Sequence, residues 1–187
     1  MRLLAQDSTD VPAYSEKDND ARWGHRTPSR KEQRLYRASK DKRKEFFYGY
    51  KPHMIVDAET DTPIALIVAP ANTNDKKFFD PLYSTVKRIA ILQHNGKFLA
   101  DAQYHSSKIR TILRDDGLKP LIPFSGNKWR KTEYPKDPEY GKRWSVERVF
   151  SRLKGVFGLE SNRFFGLKKA KIHVFSCVIA YLLRYKL

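Results

Sequence analysis

A chain of 187 residues is long enough for one domain with a hydrophobic core and too short for two of ordinary size. Its formal net charge of +16, from 37 Lys and Arg against 21 Asp and Glu, predicts a polyanionic partner, most simply nucleic acid; a basic ribosomal-type protein is the alternative. An aromatic content of 13%, together with long apolar runs, excludes a disordered basic tail.

The first half of the chain predicts a strand, a long polar loop and a hairpin. Residues Arg2–Gln6 form the strand, which ends at Asp7. From Arg22 to Lys44 the loop carries ten Lys or Arg against two acids, which is typical of a solvated segment or of a DNA contact. The apolar runs within residues 46–68 predict two antiparallel strands joined by a turn at residues 58–62.

In the second half of the chain, predicted strands alternate with helices. The helices are residues 75–92, about 106–115, about 140–157 and about 169–185, and the strands are residues 97–100 and 119–124. Asp75 is expected to cap the first of these helices and Gly117 to close the second. This order predicts an α/β fold in which helices pack on a mixed sheet.

The sequence also favours a cytoplasmic, nucleoid-associated protein. Cys177 is the only cysteine, which excludes an intramolecular disulfide and a cysteine-based zinc site, and its apolar surroundings predict burial. The N-terminal residues do not have the pattern of a signal peptide. The longest apolar stretch, residues 172–183, is too short to span a bilayer, so no membrane partner is expected.

One helix near the C-terminus combines a carboxylate with three DNA-compatible side chains. The four residues are Tyr140, Arg143, Glu147 and Lys154. On a single α-helix, at about 100° per residue, their side chains would fall within an arc of roughly 60°. An adjacent apolar stripe would face the core, namely Val146, Val149, Phe150, Leu153, Val156 and Phe157. Alternatively, Arg143 and Glu147 form a solvated helix pair worth roughly 0.3 kcal/mol.

Three acids stand out by their predicted positions. Asp7 and Asp101 each follow a strand, and Glu147 lies on the helix just described. If the two strands are neighbours, about 4.8 Å apart, their terminal carboxylates can approach one Mg²⁺ ion, which prefers oxygen ligands. Asp10 is a rival for Asp7 because both lie close to the strand end, and each Asp could equally serve in a cap or turn.

These elements, in this order, resemble the DDE transposases of bacterial and archaeal insertion sequences. GYKPHMIVDAETDTPIALIVAPANTND, residues 49–75, resembles the stretch between the first and second catalytic Asp of that family. FLADAQYHS, residues 98–106, resembles the segment around the second Asp, and the Tyr-x2-Arg-x3-Glu-x6-Lys spacing resembles the helix that carries the Glu. DNDARWG, residues 18–24, is also similar to a run found in several members.

The resemblance implies a ribonuclease-H-like catalytic domain over residues 1–187. It implies that Asp7, Asp101 and Glu147 are catalytic and bind Mg²⁺, with Mn²⁺ as a substitute, and that Tyr140, Arg143 and Lys154 contact DNA phosphates. Four further cations either line the DNA path or belong to a solvated basic loop: Lys128, Arg130, Lys131 and Lys142. Trp23, Trp129 and Trp144 are candidates for stacking on a displaced base, or else pack in the protein.

The implied reaction is hydrolysis at transposon ends followed by strand transfer into target DNA, by a homodimer on DNA and without a small-molecule cofactor. Members of this family usually carry a helical N-terminal region that recognises transposon ends. Because this chain begins six residues before Asp7, we expect it to be N-terminally truncated. Two alternatives follow: a catalytically silent DNA-binding relic, or a ribonuclease-H-like nuclease without strand transfer.

Overall fold

The hydrophobic runs of the chain form the centre of a mixed sheet, which has seven strands among the described residues. The structure, a computed structural model, describes residues 1–25, 46–125 and 132–186. Its strands are β1 (Leu3–Ser8), β2 (Val11–Pro12), β3 (Arg22–His25), β4 (Phe46–Asp57), β5 (Thr62–Pro70), β6 (Lys97–Leu99) and β7 (Lys119–Leu121). The order is β5-β4-β1-β6-β7, in which β4 is antiparallel to β5 and β1, and β6 is parallel to β1 and β7. β2 and β3 pair with the beginning of β4.

Helices cover both faces of this sheet. They are α1 (Phe79–Ile89), α2 (Ser107–Asp115), α3 (Trp144–Phe157) and α4 (Leu167–Tyr185), with short 3₁₀ turns at Asp75–Phe78, Ala102–Tyr104 and Pro138–Arg143. The mixed sheet between two helical layers confirms the predicted α/β, ribonuclease-H-like fold. None of the helices in the described ranges is long and apolar enough to cross a membrane.

The alternation of side chains along each strand separates two hydrophobic cores. On β1, Leu3 and Ala5 pack with α3 and α4, whereas Leu4 packs with α1 and α2. On β6, Leu99 joins the first core and Phe98 the second. Because successive side chains of a strand point to opposite faces, this assignment fixes the direction of every later side chain on the same strand.

Several predicted elements agree with the structure. The hairpin of β4 and β5 turns at residues 58–61, and Gly117 has the positive φ of 74° that suits a helix end. Cys177 is buried, as expected. The predicted strand over residues 119–124 is shorter, since β7 ends at Leu121.

The predicted helix over residues 140–157 begins later than expected. Tyr140 and Arg143 lie in the 3₁₀ turn Pro138–Arg143, and the α-helix starts at Trp144. Asp137 caps the turn by accepting a hydrogen bond from the Glu139 amide at 3.1 Å, and Pro138 at its first position suits such a start. The four side chains of the motif therefore do not share one α-helical face. Val156 also differs from its prediction, since it is 49% exposed.

The prediction that Asp75 caps a helix was wrong. Asn74 is the cap, because its side chain accepts a hydrogen bond from the Lys76 amide at 3.0 Å. Asp75 is instead buried and paired with Lys51. The polar loop also contains two short strands, β2 and β3, which the sequence does not predict because neither has an apolar period. Most of its basic stretch, residues 26–44, lies outside the described residues.

The DNDARWG run holds the start of α4 in place. Asp18 is buried and accepts hydrogen bonds from the Tyr50 hydroxyl at 2.7 Å and from the Gly166 amide at 2.9 Å. Asp20 accepts a hydrogen bond from the Leu167 amide at 2.9 Å. Burial opposes ionisation of Asp18, but these hydrogen bonds outweigh it and lower the pKa of the carboxyl. The run therefore caps a helix N-terminus.

We expect Asp18→Ala to lower the free energy of unfolding by about 2–4 kcal/mol, because it leaves the buried Tyr50 hydroxyl and the Gly166 amide without their acceptor. Urea denaturation followed by circular dichroism measures this loss. Asn19→Ala is the matched control at the exposed neighbouring position, with an expected change within about 0.5 kcal/mol. Equal losses in the two variants would contradict the capping role.

Candidate active site

Two carboxylates lie at the same end of two neighbouring parallel strands. β1 and β6 pair in the register Leu3↔Lys97 to Ala5↔Leu99, so Asp7 and Asp101 each lie two residues beyond the last paired position. Both continue the side of their strand that faces α3, since Ala5 and Leu99 belong to the core beneath that helix. The two strands are neighbours, so the condition for their terminal carboxylates to approach each other is met.

Glu147 reaches this strand end from the first turn of α3. The helix is anchored by Val146, Val149, Phe150 and Leu153, and each such buried side chain contributes about 1.5–3 kcal/mol. Arg143, just before the helix, lies between two of the three carboxylates. Its Nη1 is 3.2 Å from Asp7 Oδ2 and its Nη2 is 2.6 Å from Glu147 Oε1.

The three carboxylates line one open cleft of about 530 Å³. The other residues lining it are Ser8, Thr9, Asp10, His25, Phe47, Lys51, Asp75, Gln103 and Arg143. A second groove continues from it past the exposed Trp23, because the two share His25, Lys51, Asp75 and Gln103. The cleft and the groove therefore form one continuous open surface.

The carboxylates destabilise one another's charged forms. Burial and the neighbouring Asp101 carboxylate raise the pKa of Asp7 to about 7, and Glu147 acts in the same direction. The Ser8 amide, which donates to Asp7 Oδ1 at 2.8 Å, and Arg143 oppose this shift. Burial also raises the pKa of Asp101, whose Oδ1 accepts a hydrogen bond from the Gln103 amide at 2.9 Å.

A fourth carboxylate, Asp75, lies in the cleft and was not predicted there. It accepts hydrogen bonds from Lys51 Nζ at 2.8 and 3.0 Å and from Ser8 Oγ at 2.9 Å. These contacts tie the 3₁₀ turn before α1 to the strand end that carries Asp7. Lys51 and His53 both lie in the run GYKPH, residues 49–53, on β4. His53 is buried against Phe78 with ring centroids 4.0 Å apart.

Asp10, the rival for Asp7, lies at the edge of the cleft and is paired elsewhere. Its Oδ1 is 3.1 Å from Lys154 Nζ, which also contacts Glu160 Oε1 at 2.6 Å. Asp7, in contrast, interacts electrostatically with Asp101, Arg143 and Glu147. The geometry therefore favours Asp7 as the partner of the other two carboxylates.

The remaining predicted DNA contacts fall into three groups. Tyr140 is half-buried, with its ring packed against the core and its hydroxyl 3.4 Å from the Ala100 carbonyl, which fits a packing role better than a DNA contact. Lys142 is exposed and pairs only weakly with Glu139, at 3.3 Å. Three predicted cations lie outside the described residues: Lys128, Arg130 and Lys131.

An ion-pair network fixes the turn that presents Arg143 and Glu147. Lys97, on β6, lies 3.0 Å from Asp137 and 2.6 Å from Glu139. Lys119, on β7, binds Asp137 at 2.9 Å, and Arg2 binds Glu139 at 2.7 Å. The start of α3 is thereby connected to three positions on or beside the parallel part of the sheet. Single exposed pairs contribute little, but a shared network restrains geometry.

The carboxylates of Asp7, Asp101 and Glu147 are suitable ligands for a divalent cation, but they are not close enough together in this structure to bind one. Within the described ranges, no three His, Cys, Asp or Glu side chains are grouped closely enough to bind a metal ion. Arg143 instead lies between Asp7 and Glu147, as a cation supplied by the chain itself. Carboxylate oxygens are the ligands that Mg²⁺ prefers. The donor types therefore suit a divalent cation, and in this structure the Arg143 guanidinium contacts two of the three carboxylates.

Comparisons with known proteins show which family the chain belongs to. The chain is 36% identical over 111 residues to a Burkholderia cepacia protein described as a transposase of insertion sequence element IS402, a match covering 56% of this chain and 49% of the relative. A solved piggyBac transposase in a synaptic complex with hairpin DNA is 12% identical, with a TM-score of 0.40, covering 97% of this chain and 48% of that one. The chain thus spans about half the length of these relatives. The family model described as the transposase DDE domain matches residues 1–183, and the chain belongs to that family.

Proposed function

We propose that this chain is the catalytic domain of a DNA transposase, which hydrolyses DNA at transposon ends and joins the freed 3′-hydroxyl to target DNA. The observation that carries the proposal is the convergence of three carboxylates in one cleft. Asp7 and Asp101 come from neighbouring parallel strands, and Glu147 comes from the helix packed over them. Membership of the transposase DDE domain family supports the same reaction class.

Asp7, Asp101 and Glu147 are the residues that would hold Mg²⁺, or Mn²⁺ in its place. When bound there, such an ion would lower the pKa of the attacking water or 3′-hydroxyl and would stabilise the negative charge on the leaving oxygen. The chain's own residues position these carboxylates. The Ser8 and Gln103 amides orient Asp7 and Asp101, and the ion pair of Lys51 with Asp75 also lines the cleft.

DNA is the partner that the charge of +16 favours. Arg143 lines the cleft, Lys154 binds Asp10 of the cleft lining, and the exposed Lys142 precedes Arg143 in the chain. We assign phosphate contacts to these three, and we keep Lys128, Arg130 and Lys131 as predicted members of the same path. Tyr140 acts mainly by packing the turn before α3. A protein with this role works on the nucleoid.

Transposition joins two ends, so two copies would have to act together on DNA. Two other functions share the same triad: a DNA-binding relic without catalysis, and a nuclease that cuts without strand transfer. The assay that follows separates all of them, because it measures nicking, joining of pre-cleaved ends and the number of ends joined.

We expect the purified chain to nick duplex DNA with Mg²⁺ or Mn²⁺ and to join pre-cleaved ends to a target pairwise. Glu147→Gln should reduce both activities by about 100-fold or more, because it removes a charged metal ligand while keeping its shape. Gel analysis of labelled substrate gives both rates. Glu160→Gln is the control, since Glu160 contacts Lys154 outside the triad.

Each failure has its own meaning. No nicking by the wild type, with DNA binding retained, would identify the relic. Nicking without joining would identify the nuclease. Joining of one end at a time would contradict the dimer. Equal loss in the Glu160→Gln variant would contradict the assignment of Glu147.

The raised pKa of Asp7 predicts a pH dependence of stability in the metal-free protein. Folding raises this pKa from an ordinary 3.8 to about 7, so the folded state binds the proton more tightly than the unfolded state. The contribution of Asp7 to the free energy of unfolding should therefore be highest below about pH 4. It should fall, by on the order of 3 kcal/mol, as the pH rises to about 7.

Urea denaturation at pH 4 to 8, with a chelator present, measures this change. Asp7→Asn should remove most of the difference, because an amide cannot ionise. Saturating Mg²⁺ should reduce the fall in the wild type, since it stabilises the ionised carboxylate. The same slope in the wild type and in Asp7→Asn would show that Asp7 is not the titrating group.

DNA affinity should depend on Lys142 more than on a matched lysine of the opposite helical layer. Lys142 and Lys87 are both 45% exposed, and each pairs with one carboxylate. Lys142→Gln should weaken binding to all duplex sequences and reduce the slope of log K against log salt by about 1. Lys87→Gln should leave that slope unchanged. Fluorescence anisotropy at several salt concentrations measures both, and equal slopes in the two variants would exclude Lys142 from the DNA path.

A further inference from the structure

Arg143 cannot bind a DNA phosphate in the conformation that the structure shows. Its guanidinium binds Asp7 through Nη1 at 3.2 Å and Glu147 through Nη2 at 2.6 Å, and its side chain is only 16% exposed. A guanidinium binds a phosphate through the same forked N–H groups. Contact with a DNA phosphate therefore requires that Arg143 first release at least one of these two carboxylates.

Release of Arg143 has an electrostatic cost that depends on what replaces it. Asp7, Asp101 and Glu147 line one cleft, and Arg143 is the cation bonded to two of them. Like charges in a partly buried site repel more strongly than in water. Without a replacement cation, three carboxylates would remain without that counter-charge. Release is therefore favourable only when another cation is present.

We propose that Arg143 is the resident counter-ion of the active site and that it exchanges with a divalent cation, moving from Asp7 and Glu147 to a DNA phosphate. The proposal rests on the function proposed above and concerns the control of the same site. In the metal-free protein, Arg143 holds the carboxylates together and is withheld from DNA. In the loaded protein, the carboxylates bind the ion and Arg143 is available to the substrate.

This exchange couples two binding events. A divalent cation that displaces Arg143 makes it available to DNA, and DNA that attracts Arg143 leaves the carboxylates open to the cation. By linkage, each ligand must raise the affinity for the other by the same factor, typically about 5- to 150-fold. The protein would then assemble a complete site only when DNA and metal are both present.

Lys154 provides the internal comparison. It also binds two carboxylates, Asp10 at 3.1 Å and Glu160 at 2.6 Å, and it is 24% exposed. Neither of those acids belongs to the proposed metal-binding triad. Release of Lys154 to DNA should therefore not depend on the metal, although it is close to the same cleft.

The test is calorimetric titration of the full chain with Ca²⁺, an oxygen-binding cation, with and without a duplex oligonucleotide. In the wild type, we expect the duplex to tighten Ca²⁺ binding by about 5-fold or more. In Arg143→Gln, Ca²⁺ should bind about 5-fold or more tightly than in the wild type without DNA, and the duplex should add little. Lys154→Gln should retain the coupling of the wild type.

Arg143→Lys is a second variant, which keeps the proposal testable if Arg143→Gln fails to fold. A lysine keeps the charge but lacks the planar fork that spans two carboxylates, so an intermediate Ca²⁺ affinity is expected. Unchanged Ca²⁺ affinity and unchanged coupling in both Arg143 variants would overturn the exchange. If Ca²⁺ binds the wild type and Glu147→Gln equally well, the proposed metal centre itself is wrong, which is a different failure.

Discussion

The parallel pairing of β1 with β6 is the constraint on which the rest of the site depends. It brings two chain segments that are 94 residues apart to the same end of the sheet, with Asp7 and Asp101 on the same face. Neighbouring strands lie about 4.8 Å apart, so no loop has to fold back to bring these carboxylates together. Only the third carboxylate, Glu147, needs separate positioning, and α3 provides it by packing over the same face.

The cleft is locally acidic in a strongly basic chain. Five carboxylates and two cations line it, whereas the chain as a whole carries a charge of +16. Basic side chains form ion pairs with these acids. Lys51 pairs with Asp75, Arg143 pairs with Asp7 and Glu147, and Lys154 pairs with Asp10. Such an arrangement attracts a polyanion at long range and a metal ion at short range. These are the two requirements of metal-dependent chemistry on DNA.

The sequence predicted most of the fold, because hydrophobic period and turn residues are local signals. The hairpin of β4 and β5, the helix closed by Gly117 and the strands that precede Asp7 and Asp101 all follow from such signals. The late start of α3 did not follow, since 3₁₀ turns are frequent at α-helix ends and differ from the helix in their hydrogen-bond pattern, which the sequence does not display.

Predictions about the site were limited by contacts between distant residues. Asp75 could not be recognised as part of the cleft, because its partner Lys51 is 24 positions away and on a different element. The attachment of Arg143 to Asp7 spans 136 positions and depends on how α3 lies across the sheet. Neither pairing has a periodic pattern. The roles given to Asp7, Asp101 and Glu147 remain predictions that the geometry favours.

Because side chains alternate between the two faces of β1, the candidate active site is sensitive to the insertion or deletion of a single residue in this strand. Ala5 and Asp7 face α3, whereas Leu4 faces the opposite helical layer. Insertion or deletion of one in-frame codon between Leu4 and Asp7 would turn Asp7 towards α1 and α2 and bring an uncharged neighbour into the cleft. The chain could thus lose the arrangement of the cleft without losing any of its three carboxylates, and a second compensating codon change in the same strand could restore it.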